Sequence, residues 1–182
     1  MAIDRLNWEG DRLVVAGPTS SPQPVPRQPD VSGFASFMLQ GTQAGVDQSR
    51  LMLSSTGEPV TMTLEVPANF VIEVSFRLPR LDRDGSVGLL LNGDPEVGIR
   101  IDHTGIRLQG DPLEKPPAYL NPKTFEYSAY HLLRIEAQSG QSLWWLDGLR
   151  VASFPHLAGT GQVRFTGQNG TSEWAAFALT AV

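Results

Sequence analysis

Apolar and polar residues alternate along much of the chain, with the two-residue period of a half-buried β-strand. Over Val60–Val66 the even-numbered residues are apolar and the odd-numbered ones are threonine or glutamate. Over Asn69–Leu78 the same alternation places Phe70, Ile72, Val74 and Phe76 on one face. We find no helical apolar period of 3.6 residues in any window of about 11 residues or more. The pattern predicts about twelve short strands in an all-β, two-sheet antiparallel sandwich.

The remaining strands follow from shorter apolar runs bounded by turn residues. Asp82–Gly85 has turn composition, and we expect it to reverse the chain between two strands. The other predicted strands are two within Leu6–Val15, then Phe34–Gln40, Ser49–Ser54, Ser86–Leu91, Val97–Asp102, Gly105–Gln109, Gly161–Thr166 and Trp174–Thr180.

A three-stranded meander is predicted over Tyr130–Phe154, with turns at Ser139-Gly140 and Asp147-Gly148. Asp-Gly is a strong hairpin signal, because both central positions of the favoured turn need φ > 0. Successive residues of a strand point to opposite faces, so Trp144 and Trp145 must lie on different sides of the sheet. We expect one side to build the core and the other to form the outer face. The core set is Leu133, Ile135, Leu143 and Trp145, and the outer set is Trp144 and Leu146.

Two proline-rich segments interrupt the strands. Residues 17–33 contain five prolines and predict an extended arm or loop, and residues 110–127 contain four and predict a long irregular loop. We interpret the whole chain, residues 1–182, as a single sandwich domain.

Charge and composition exclude some functions. The formal net charge is −5, which disfavours binding to nucleic acid or to an anionic membrane surface. No apolar run approaches the roughly 18 residues of a membrane-spanning helix. The first residues lack a signal-peptide layout, so we expect either a removed leader or synthesis without export. Cysteine is absent, and the localisation stays open between the cytoplasm and a virion.

The final third of the chain resembles concanavalin A-like jelly-roll domains, the clan that includes laminin-G and laminarinase domains. The residues that carry the resemblance are His131, Leu133–Glu136, Gly140-Gln141, Leu143, Leu146–Gly148, Val151, Gly161, Val163, Phe165 and Trp174–Leu179. The resemblance covers 60–182 well, and it implies the fold rather than an activity, because this fold carries lectins, hydrolases and structural proteins.

Catalysis is not expected. The resemblance implies that a laminarinase-type hydrolase would carry Glu-x-Asp-x-(x)-Glu on one strand. In this sequence the aspartate position is filled by Ser75 after Glu73 and by Gln138 after Glu136, so the motif is absent. The three histidines are far apart in the sequence, so their spacing predicts no zinc site, and no cofactor is predicted. Turn carboxylates can bind calcium, although solvated turn residues are the simpler interpretation. The weak calcium candidates are Asp82, Asp84, Asp94 and Asp102.

Aromatic side chains give the stronger indication of a binding surface. A tryptophan on an outer face must be covered by something, because its large apolar surface is costly to leave in water. The chain's own loops, a neighbouring subunit or a sugar ring could each cover it. The predicted carbohydrate- or partner-binding residues are Trp144, Leu146, Tyr119, Tyr127 and Tyr130.

Three functions remain open. We favour a non-catalytic structural protein that self-assembles or binds protein partners, such as a virion decoration or tail component, because the arm needs a surface to lie on. A lectin-like module that stacks a glycan on exposed aromatics is the first alternative. A glycoside hydrolase of the clan is the second, and the missing carboxylate triplet disfavours it.

Overall fold

The chain forms β-strands throughout the part that the structure describes. The structure is a computed structural model, and it describes residues 5–9, 12–16, 28–40, 44–46, 49–92, 96–110, 112–113, 125–155 and 161–182. None of these residues lies in a helix, so this part of the chain has no helix suited to crossing a membrane. The strands are β1 (Arg5–Glu9), β2 (Arg12–Ala16), β3 (Val31–Ser32), β4 (Met38–Gln40), β5 (Ala44–Val46), β6 (Arg50–Ser55), β7 (Val60–Val66), β8 (Phe70–Asn92), β9 (Val97–Asp102), β10 (Gly105–Gln109), β11 (His131–Gln138), β12 (Gln141–Leu146), β13 (Leu149–Pro155) and β14 (Gly161–Ala181).

Two long antiparallel strands, β8 and β14, organise the fold. The first half of β8 pairs with the second half of β14, and this end of the pair carries the order β13-β12-β11-β8-β14-β6-β5, which we call sheet I. The other end of the same pair carries β10-β9-β8-β14-β7-β4, which we call sheet II. Both long strands therefore belong to both sheets.

The long strands bend sharply between the two sheets. Phe165 and Trp174 lie nine residues apart on β14, which a straight strand would separate by about 30 Å. Their ring centroids are only 4.7 Å apart, with the rings nearly perpendicular. Sheet II therefore folds back over sheet I, and the two inner faces share one apolar core.

The bend occurs where the sequence predicted a chain reversal at Asp82–Gly85, and that prediction is wrong. Leu81 pairs with Gly170 and Ser86 pairs with Gln168, so these four residues of β8 lie opposite Asn169 alone. They form a bulge within a continuous strand, and bulges bend strands at sheet corners. Gly85 is required there, because a Cβ atom would lie 2.2 Å from the carbonyl oxygen of Asn169.

The core confirms the alternation in the central strands. The apolar residues predicted for one face of β7 and of the first half of β8 are all buried. Trp174 of β14 is buried as well. Phe34 is buried against Phe37, Phe165 and Phe177, but it precedes β4, which is shorter than the strand predicted over Phe34–Gln40.

The meander has the predicted strands, and Leu133 and Ile135 of β11 lie in the core as predicted, but the two faces of β12 are reversed. Trp144 and Leu146 point into the core with exposures of 0% and 5%, whereas Leu143 and Trp145 are half-buried on the outer face. Ser139 and Gly140 form a two-residue loop in which both residues have positive φ. Such a loop pairs an odd-numbered residue of β11 with an even-numbered residue of β12, as in Ile135 with Trp144. The core residues of β11 therefore require Trp144 on the inside.

The proline-rich segments are described only in part. Residues 17–27, 111 and 114–124 lie outside the described residues. The end of the predicted arm lies along β14 of the chain's own sheet, where β3 pairs with Ala178 and Leu179. An arm that extends to a neighbour stays a prediction.

Candidate functional site

The structure separates the predicted binding residues. Trp144 and Leu146 are core residues, so their assignment to an outer binding surface is wrong. Tyr119 lies outside the described residues. Tyr127 is half-buried and donates its hydroxyl to the carbonyl oxygen of Asp102 at 2.9 Å, which gives it a structural contact. Tyr130 is exposed, at 46%, on the outer face of sheet I.

Tyr130 belongs to a polar cluster centred on Glu173. Arg77 of β8, Glu173 of β14 and Met52 of β6 are paired directly across three adjacent strands, so their side chains share the outer face. Tyr130 precedes β11, on the other side of β8, and the guanidinium of Arg77 lies over its ring at 4.9 Å. We call Arg50, Arg77, Tyr130 and Glu173 the Glu173 cluster.

Both carboxylate oxygens of Glu173 accept hydrogen bonds. Arg77 donates from Nε at 2.8 Å and from Nη2 at 2.6 Å to Oε2. The Tyr130 hydroxyl and Arg50 Nη1 donate to Oε1, the latter at 3.4 Å. Glu173 is only 4% exposed although it lies on an outer face. These donors satisfy a buried charge that would otherwise be costly.

The contacts set the charge state of the cluster. The hydrogen bond from Tyr130, followed by the one from Arg77, lowers the pKa of Glu173 against the opposing effect of burial. The same bond to Glu173 raises the pKa of Tyr130, and Glu173 also raises the pKa of Arg77. At neutral pH the cluster therefore holds one carboxylate, one neutral phenol and two guanidinium groups.

The surface beside the Glu173 cluster is formed by small side chains and is partly apolar. Ser75 and Ala175 pair across β8 and β14 in the next row, and Arg50 lies opposite Ala175. Small side chains in the middle of this row leave a floor between taller neighbours. Leu132, which pairs with Ser75, and Met52 are both exposed beside it. An aromatic ring, aliphatic side chains and charged donors thus surround one shallow surface.

The same face continues toward Trp145. Trp145 pairs with Arg134, and Arg134 pairs with Glu73, so the three form a row on the outer face. Arg134 Nη1 donates to Glu73 at 2.6 Å, and Arg134 also bonds Glu136. Trp145 is therefore the outer-face tryptophan that the sequence reasoning missed. The length of the Ser139-Gly140 loop was the signal that could have found it.

The candidate calcium carboxylates have other partners in the structure. Asp82 accepts two hydrogen bonds from Arg80, at 2.9 and 2.8 Å, and Asp84 accepts one from Asn169 at 2.9 Å. Asp102 accepts from the Thr104 amide at 2.7 Å and pairs with Arg107 at 3.0 Å. Asp94 lies outside the described residues. Among the residues with described positions, no three His, Asp or Glu side chains come together as a metal site. Calcium binding stays an untested prediction.

The outer face of sheet II carries a separate polar network. Glu96 accepts from Arg164 and from Gln109 Nε2, the latter at 2.8 Å, and Gln109 accepts from Arg100. Gly98 lies opposite Gln109 and packs against Leu90, which is fully buried. The network covers the surface around Gly98 and Leu90 with side chains that bond one another. The small-residue surface beside the Glu173 cluster is instead bordered by exposed groups.

Comparison with known proteins identifies the architecture. No protein-family model and no curated protein sequence matches the chain. The carbohydrate-binding module CBM66 from Bacillus subtilis is similar in structure, with a TM-score of 0.57 and 13% identity over 80% of this chain and 96% of that one. This chain has a concanavalin A-like jelly-roll fold.

Two other jelly rolls show the range of this fold. The carbohydrate recognition domain of Emp47p has a TM-score of 0.57 and 14% identity, over 81% of this chain and 89% of that one. A Bacillus licheniformis beta-glucanase has a TM-score of 0.57 and 11% identity, over 80% of this chain and 92% of that one. Binding modules and an enzyme thus share the fold, so the fold alone does not decide between binding and catalysis. The virion and assembly role that we favoured from the sequence receives no support from these comparisons.

Proposed function

We propose that this jelly roll is a non-catalytic carbohydrate-binding module that holds its glycan on the outer face of sheet I, at the Glu173 cluster. The observation that carries the proposal is the exposed ring of Tyr130, fixed beside the small-residue floor by its hydrogen bond to buried Glu173. The carbohydrate-binding domains with the same fold support this class of ligand.

The chemistry of the surface suits a sugar ring. Sugars present C–H groups on one face and hydroxyls around the rim, so a binding site combines apolar contact with a few directed polar groups. Tyr130, Leu132 and Met52 supply apolar contact area, and all three are exposed. Arg50 and Arg77 supply hydrogen-bond donors at the edge of the floor.

The rigidity of Tyr130 favours binding. An exposed tyrosine normally loses side-chain freedom when a ligand orders it, and that loss weakens binding. Here the hydroxyl is held by Glu173 and the ring lies against the Arg77 guanidinium before any ligand arrives. The stacking surface is therefore preorganised.

A glycan array with the wild type and two single variants tests the proposal. Tyr130→Ala should weaken the strongest glycan signals about tenfold or more, because it removes the stacking surface. Met38→Ala is the matched control, since Met38 is comparably exposed but lies on β4 of sheet II. Absence of glycan binding, or equal binding by wild type and Tyr130→Ala, would refute the proposed function.

A further inference from the structure

We infer that the ligand is a linear glycan chain, in which one sugar stacks on Tyr130 and a second sugar stacks on Trp145. Hydroxyl groups of the second sugar donate to Glu73 and Glu136. The inference rests on the proposed function and adds the form of the ligand and a second contact site. We call Trp145, Arg134, Glu73 and Glu136 the Trp145 subsite.

The two aromatic rings lie at the ends of one stretch of the outer face. Tyr130 and Arg134 are four residues apart and face the same side of the sheet, and Arg134 pairs with Trp145 of β12. Because a strand rises about 3.4 Å per residue and adjacent strands lie about 4.8 Å apart, the Cα atoms of Tyr130 and Trp145 are about 14 Å apart. A monosaccharide or a disaccharide is too short to lie on both rings, whereas a chain of several sugars contacts both at once.

The surface between the two rings is apolar. Leu132 lies midway between Tyr130 and Arg134 along the chain and is 43% exposed. Its partner Ser75 on β8 and the next residue in that row, Ala175 on β14, are small. A glycan that lies along β11 therefore removes aliphatic surface from water between its two stacked sugars, which favours binding.

The polar groups beside Trp145 are hydrogen-bond acceptors. Arg134 donates from Nη1 to Oε1 of Glu73 at 2.6 Å, and from Nε at 2.9 Å and from Nη2 to Oε1 of Glu136. Oε2 of each carboxylate accepts no hydrogen bond from any described residue. The side chains of Glu73 and Glu136 are 44% and 35% exposed. Each carboxylate therefore keeps acceptor positions for a ligand.

Sugar hydroxyls match these acceptors. A hydrogen bond from a hydroxyl group to a carboxylate is charge-assisted, so it is stronger than one between two neutral groups. All three guanidinium nitrogens of Arg134 bond the two carboxylates, which holds both acceptors in place beside Trp145. The Trp145 subsite thus combines an aromatic surface with fixed polar groups, as a sugar ring requires.

Calorimetric titrations with oligosaccharides of increasing length test the inference. The probes are cello-, laminari-, xylo-, manno- and fructo-oligosaccharides of about two to eight sugars, which bracket the about 14 Å between the two residues. For at least one series we expect the affinity to rise about tenfold or more from the shortest to the longest member. The reason is that only a longer chain makes both stacking contacts in one binding event.

Variants assign this increase to the Trp145 subsite. Trp145→Ala should abolish the dependence of affinity on chain length. Glu73→Gln and Glu136→Gln should each weaken the longest member about threefold or more, because an amide oxygen is a weaker acceptor than a carboxylate. Leu149→Ala is the matched control, since Leu149 is 52% exposed in the same hairpin but pairs with the core residue Leu146. Thermal unfolding of each variant checks that it is folded.

The outcomes separate the two proposals. Affinity that is independent of chain length but is lost in Tyr130→Ala would overturn the linear-chain inference and leave the proposed function standing. Binding on the array to branched or terminal sugars only would have the same meaning. A length dependence that is unchanged in Trp145→Ala would overturn the assignment to the Trp145 subsite. If neither these oligomers nor the glycan array gives binding, both proposals fail.

Discussion

The adjacent residues Trp144 and Trp145 should differ strongly in their contribution to stability. Trp144 is fully buried, lies edge-on to Phe154 at 5.9 Å, and donates from Nε1 to the Ser142 hydroxyl at 3.1 Å. Trp145 is half-buried on the outer face. Replacing each by alanine therefore tests the assignment of faces within one dipeptide.

The expected loss of unfolding free energy in each alanine variant follows from how deeply its tryptophan is buried. A tryptophan side chain buries about 150–250 Å², worth about 4–6 kcal/mol at about 25 cal/mol per Å². Alanine keeps part of this buried surface, and large-to-small replacements of a buried tryptophan cost about 3–5 kcal/mol, so we expect a cost of about this size for Trp144→Ala. Trp145→Ala should cost about 1 kcal/mol, since its ring already contacts water.

Urea unfolding followed by far-ultraviolet circular dichroism measures both free energies without depending on tryptophan fluorescence. Trp144→Phe and Trp145→Phe form a milder pair, in case the alanine variant of Trp144 does not fold. If a Trp145 variant loses as much stability as its Trp144 counterpart, the register of the meander is wrong.

Two further predictions concern the cluster and the bend. The pKa of Glu173 is lowered in the folded state, first by Tyr130 and then by Arg77, so the unfolded chain binds the proton first as the pH falls. The stabilisation that ionised Glu173 contributes is present at neutral pH and is lost from about pH 5 downward, as the pH falls through the lower pKa of the folded state. Urea titrations over this range should therefore show a smaller loss of unfolding free energy for Glu173→Gln than for the wild type. Equal losses in the two proteins would contradict the charge state assigned to Glu173. Gly85→Ala should cost about 1–3 kcal/mol, because its Cβ would overlap the carbonyl oxygen of Asn169. Gly167→Ala is its control, with a nearest contact at an ordinary 3.5 Å, and equal melting temperatures of the two variants would argue against the bulge geometry.

Local pattern predicted the central strands because each has one clearly polar face. In Val60–Val66 threonine and glutamate alternate with apolar residues, which leaves one choice of inner face. The run Leu143–Leu146 is apolar on both faces, so alternation alone could not assign it. The two-residue loop before it decides the register, and combining loop length with the pattern of β11 would have placed Trp144 inside.

Other features depend on distant parts of the chain. Asp82–Gly85 has the composition of a turn, and only the pairing of the flanking residues Leu81 and Ser86 with β14 makes it a bulge. Tyr130 was found as an aromatic beside a loop, but its partner Glu173 is 43 residues away and Arg77 is 96 residues from Glu173. Contacts of such separation arise from strand order, which the alternation of single strands does not encode.

The sharing of β8 and β14 by both sheets also bears on how the protein forms during synthesis. β14 is an interior strand of sheet I and of sheet II, yet it follows every other described strand along the chain. During synthesis neither sheet can form completely until the residues of β14 have left the ribosome. Until then β6, β7 and β8 each lack β14 as a pairing partner, and their apolar faces stay exposed. The chain is thus most prone to aggregation just before β14 is available, and it should fold slowly through contacts of long sequence separation.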